Sequence, residues 1–168
     1  MNREQILRRR LKLLTWFFII GLVLSGATAM PLETELKWLV KILAPNFTDG
    51  GQNSLLATWL VKVQRALQET GQKFPFLFYG TDWLAFGHYM IALSFVGALR
   101  DPVRNRWLFD FGLIACVLVV PFAFICGAVR GIPYWWGLVD CSFGVFGFIP
   151  LWICRSAALE LESSGTRG

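Results

Sequence analysis

Four long apolar stretches constrain this sequence more than any other feature. They are LLTWFFIIGLVLSGATAM (Leu13–Met30), WLAFGHYMIALSFVGAL (Trp83–Leu99), WLFDFGLIACVLVVPFAFICGAV (Trp107–Val129) and a fourth from Pro133 to Cys154 that holds YWWGLVDCSFGVFGFIPLWIC. Each is 17 to 23 residues long. A helix rises 1.5 Å per residue, so each can cross a hydrocarbon layer roughly 30 Å thick. Trp16, Trp83, Trp107, Trp135, Trp136 and Trp152 lie near the ends of these stretches, where amphipathic rings favour the headgroup level. The chain is 55% hydrophobic and 16% charged, against about a quarter charged in soluble domains. The expected fold is an all-α integral membrane protein, a bundle of four transmembrane helices.

Basic residues set the expected orientation. Arg3, Arg8, Arg9, Arg10 and Lys12 precede the first stretch, Arg100, Arg104 and Arg106 fill the link RDPVRNR, and Arg155 follows the fourth. With four crossings all three groups fall on one side, and the positive-inside rule makes that side cytoplasmic. The opposite short link offers only Arg130. Residues 1–12 and 155–168 thus read as cytoplasmic ends, in a protein of the bacterial inner membrane. The net charge of +5 is spent on topology in short runs beside apolar segments, so nucleic acid is excluded as a partner. A second reading of the start is open. A basic run, an apolar core and ATA at Ala27–Ala29 also fit a secretory signal. Retention as an anchor is the reading adopted; cleavage would leave three spans in the same orientation.

Residues 31–82 form the one sizeable aqueous segment, expected outside the cytoplasm. Leu32, Leu36, Leu39, Val40 and Leu43 share one face of a helix opened by Pro31, with Glu33, Lys37 and Lys41 opposite. A second amphipathic helix is predicted over 54–69, capped by Ser54, stopped at Gly71, with Leu55, Leu56, Trp59, Leu60, Val63 and Leu67 as its apolar side. The turn-rich APNFTDGGQN joins the two, and KFPFLFYG leads back toward the membrane.

The polar residues inside the apolar stretches carry whatever chemistry the chain has. Asp140 shares its helical face with Gly137, Gly144 and Gly147, and a glycine face is where another helix comes close. The only histidine, His88, lies at a matching depth, with Ala85 and Ala92 on its own face. Arg130 can reach the same level by bending its stem inward. Asp140, His88 and Arg130 therefore form a candidate polar cluster, with Asp140 expected within reach of His88 or Arg130. The cluster reads either as mutual charge compensation or as a site for protons or a polar head group. Asp110 is explained by a pair with Arg106, four residues before it.

Catalytic motifs are missing: the sequence has no HExxH, no GxSxG, no phosphate-binding loop and no second histidine. The four cysteines, Cys116, Cys126, Cys141 and Cys154, include no CxxC pair, which argues against a metal or redox centre. They read as small apolar residues, with a Cys126–Cys141 disulfide left open. No catalytic residue, metal or cofactor is expected. The expected role is a non-enzymatic membrane subunit that assembles with itself or a larger complex through the glycine face. The alternative is a small transporter, or a quinone- or lipid-handling protein, working through the polar cluster. The lipid bilayer is the expected partner in either case.

Overall fold

A computed structural model describes residues 3–165. Six α-helices follow one another: α1 (Arg3–Ala29), α2 (Leu32–Leu43), α3 (Leu55–Lys73), α4 (Tyr79–Arg100), α5 (Arg106–Arg130) and α6 (Tyr134–Gly165), with a 3-10 turn at Pro75–Phe78 before α4. No strand occurs among the described residues. Four helices, α1, α4 with its leading turn, α5 and α6, are long and apolar enough to cross a membrane.

Each long helix overruns its apolar stretch. The largest overrun is in α6, which continues through residues expected to form a separate tail. Cys154, Ala157, Ala158 and Leu161 recur at helical spacing and all are buried. The helix therefore continues because its buried face does, carried by good helix formers.

The chain divides into two compact units, one made of Leu22–Met90 and the other of the residues on either side of it. In the second of these, all four long helices contribute. Phe95 of α4 is fully buried and touches Phe18 of α1 and Phe109 of α5, at ring separations of 4.8 and 6.3 Å. Leu11 and Thr15 of α1 are buried as well, and Thr15 Oγ1 lies 3.7 Å from Cys154 Sγ. Helices α5 and α6 pack antiparallel along their lengths, with Gly112 against Leu151, Cys116 against Gly144 and Gly147, and Phe124 against Gly137. Gly131 makes the turn between them at φ +69°, where a side chain would be strained. The amides of Gly131 and Ile132 then satisfy the carbonyls of Ala128 and Gly127.

Ion pairs tie α6 to other helices in this unit. Arg3 pairs with Glu160 at 2.6 Å, Arg106 with Glu162, and Arg155 with Asp110. The expected Arg106–Asp110 pair is thus replaced. Arg106 is taken by an acid that only the extended α6 brings within reach.

The Leu22–Met90 unit is built on an α2–α3 hairpin. Ser54 caps α3 as expected, its Oγ accepting from the Ala57 amide at 3.1 Å. Asn53 organises the connecting loop by donating to the Thr48 and Gly51 carbonyls, and Arg65 makes a two-pronged salt bridge to Asp49. The contact between the helices consists of Ala44, Ala57 and Val61, with Val40 and Phe47 packed on them. The two expected faces hold in part: Leu60 of α3 is buried and Val40 of α2 packs on the contact, but other members are corrected. Leu39 and Leu43 of α2 stay exposed beside Trp38 and Ile42, and Leu55 and Leu56 of α3 are exposed too. Helix α3 meets α2 through Ala57 and Val61 and not through Leu55 and Leu56. Nor does Gly71 end α3, which runs on to Lys73 and stops just before Pro75.

Candidate functional site

Asp140 lies six residues inside α6 and is half-buried. Its carboxylate makes no hydrogen bond or ion pair among the described residues. Arg130, the last residue of α5, is exposed and does not pair with Asp140. His88 is half-buried on α4, with ring Nδ1 donating to the Leu84 carbonyl of the same helix at 2.8 Å. The small-residue face expected around His88 is present. Ala85 and Ala92 are buried, and Gly26 of α1 packs on the Ala85 carbonyl and the His88 Cβ. Within their own unit, Asp140 and Arg130 remain two separate polar groups.

The glycines beside Asp140 face α5. A Cβ added at Gly144 would stand 2.7 Å from both the Cys116 carbonyl oxygen and Val119 Cγ1. At Gly147 it would meet Cys116 Sγ at 3.1 Å, and at Gly137 the Phe124 ring at 3.1 Å. The close approach that these glycines permit is taken up within the chain. All four cysteines are free thiols, Cys126 and Cys141 included.

A different set of residues forms a cleft inside the Leu22–Met90 unit. It measures about 530 Å³ and lies where the start of α2 passes the end of α3. Glu33, Lys37, Gln68 and Gln72 supply its polar wall, and Met30 and Phe78 part of its apolar wall. Gly71 opens it: a Cβ there would stand 2.3 Å from Glu33 Oε1. Glu33 and Lys37 have the i, i+4 order that favours a helical ion pair, yet they form none and have no other partner among the described residues. Nearby, Lys73 donates to Glu69 at 2.6 Å, and this bond holds the Glu69 carboxyl below its usual range.

Sequence reasoning took Glu33 and Lys37 for a solvated stripe and Gly71 for a helix stop, so the cleft was missed. One signal was available. Gln68, Gly71 and Gln72 extend the face of α3 that carries Ala57 and Val61, which is a polar continuation of a packing face.

Compared with protein-family models, curated proteins and solved structures, the chain has no significant match.

Proposed function

We propose that this chain is a small, non-enzymatic binding or assembly subunit of the bacterial inner membrane. In this reading both termini are cytoplasmic and the amphipathic α2–α3 hairpin lies on the opposite surface as the working part. The observation that carries it is the cleft at the base of that hairpin, walled by two opposite charges that do not neutralise each other. Supporting it is the exposed apolar arc of α2, formed by Trp38, Leu39, Ile42 and Leu43. Only Met30 and Pro31 separate α1 from α2. Two residues reach at most about 7 Å, so α2 starts at the level where α1 leaves the bilayer. Its apolar arc then seats in the interface, as in surface-bound amphipathic helices. Assembly through the Gly137, Gly144 and Gly147 face is not retained, because α5 already fills it.

Single cysteines placed at Lys37, Lys62 and Glu69 should react with a membrane-impermeant thiol reagent in intact cells, and one at Ile42 should not. The endogenous thiols are removed first. Labelling of the first three only after cell disruption would place the hairpin in the cytoplasm and defeat the reading.

A second reading is favoured by one observation, the half-buried carboxylate of Asp140, which has no partner among the described residues. Ionisable groups inside spans are functional by default, and this one suits a transporter, or a quinone- or lipid-handling protein. Under that reading Asp140→Asn abolishes the cellular phenotype while the protein folds and inserts normally. An unchanged phenotype removes it.

A further inference from the structure

We infer that the cleft between α2 and α3 is a binding site for the head group of a phospholipid that carries a primary amine, of the phosphoethanolamine type. The inference rests on the hairpin lying at the membrane surface, as proposed above.

Glu33 and Lys37 are spaced and ordered to pair along α2, but the Glu33 carboxylate turns instead into the notch left by Gly71 of α3. It receives no hydrogen bond there among the described residues. Glu33 belongs to the first turn of α2, whose end favours its charge, and it faces the last turn of α3, which ends at Lys73 and whose carbonyls carry partial negative charge. A carboxylate and a helix C-terminal end together call for a cation. Lys37, one turn further along α2, presents a positive charge to the same cleft. Glu33 and Lys37, one turn apart and unpaired with each other, therefore suit a molecule that carries an ammonium and an anion close together, and Gln68 and Gln72 add amides to the same lining. A volume of about 530 Å³ falls within the range of small-molecule sites, ~300–1,000 Å³.

Location selects a lipid over a free zwitterion. The apolar wall includes Met30, next to the end of α1, and Phe78, next to the start of α4. Both residues adjoin helices long and apolar enough to cross a membrane. The 3-10 turn adds exposed Phe76 and Leu77 beside the cleft. A head group held here has its acyl chains where the bilayer begins. Chemistry selects the amine. A primary ammonium can donate to the Glu33 carboxylate, a quaternary choline cannot, and a glycerol head group brings no cation to offset the acid.

The test uses the full chain in nanodiscs of equal parts ethanolamine, choline and glycerol phospholipids, with retained lipid identified by native mass spectrometry. The wild type should retain the ethanolamine lipid preferentially. Glu33→Gln, which keeps shape and removes charge, should reduce that preference about tenfold, the scale for losing one charge-assisted hydrogen bond. Lys37→Gln should weaken retention of the ethanolamine lipid, and Gly71→Ala should abolish it by displacing the Glu33 side chain. Helicity by circular dichroism should stay at the wild-type level in Glu33→Gln and Lys37→Gln. Unchanged selectivity in Glu33→Gln overturns the site. Displacement of the lipid by an equal concentration of soluble glycerophosphoethanolamine would assign the cleft to the free zwitterion and overturn the lipid assignment. Cysteine accessibility at Lys62 and Glu69 reports the hairpin's side of the membrane independently, so loss of the lipid preference alone leaves the proposed function standing.

Discussion

Replacing Gly144 with alanine tests the α5–α6 contact most directly, because two opposing effects can be weighed from the structure. An added Cβ would stand 2.7 Å from the Cys116 carbonyl oxygen and from Val119 Cγ1, about 0.8 Å inside ordinary van der Waals contact. Val119 can rotate; the carbonyl belongs to the α5 backbone, so relief requires the helices to separate. Overpacking of this kind costs about 1–3 kcal/mol, while exchanging glycine for alanine within a helix returns roughly 0.5–1 kcal/mol. The net expectation is a loss of about 0–2.5 kcal/mol, centred near 1. Gly87→Ala is the control, since nothing lies within 4 Å of a Cβ at that helical position, and it should gain roughly 0.5–1 kcal/mol. Gly147→Ala should fall between them, because the Cys116 thiol 3.1 Å away can turn aside. Thermal melting of the purified chain in one mild detergent should rank the three variants. At about 2–4 °C per kcal/mol for a chain of this size, Gly144→Ala and Gly87→Ala should differ by several degrees. A Gly144→Ala protein melting at or above Gly87→Ala would refute the close approach.

Asp140→Leu should melt at or above the wild type, since no partner is left stranded and a half-buried charge is removed; a loss beyond about 1 kcal/mol would reveal a neutralising partner. For Arg155 and Asp110, with side chains 34% and 39% exposed, a double-mutant cycle should give a coupling of about 1 kcal/mol. A coupling near zero would mean that the pair does not hold α6 to α5. Glu69 should titrate below the usual glutamate range by NMR and return to it in Lys73→Met, because the hydrogen bond from Lys73 favours the charged form. Its small stabilising contribution is present above the unfolded-state pKa and is lost as pH falls through the depressed folded value. A Glu69 titration that ignores Lys73→Met would contradict this.

Local physics made much of the fold legible from the sequence. Transfer of a side chain into an apolar phase depends mainly on that side chain, so the four long helices could be located by summing along the chain. The Ser54 cap was equally readable, because its partner is the amide three residues on. So was the small face around His88, since Ala85 and Ala92 are its own helical neighbours. The helical continuation beyond Cys154 was missed, although the spacing of Ala157, Ala158 and Leu161 carries it.

What the sequence could not decide is which of several suitable partners each group meets. Arg106 lies one helical turn from Asp110, yet it pairs with Glu162, and Asp110 pairs with Arg155. Both outcomes depend on how α6 lies against α5. A glycine stripe announces that something comes close without saying what, and only packing identifies it as the chain's own α5. Gly71 is the sharpest case. A missing Cβ suits a helix stop and a tight crossing equally well, and the residue that separates these readings is Glu33, 38 positions earlier in the chain. The cleft follows from that crossing. Its charges are ordinary surface residues until folding sets the first turn of α2 against the last turn of α3, because an electrostatic site is defined by distances that the order of residues does not contain.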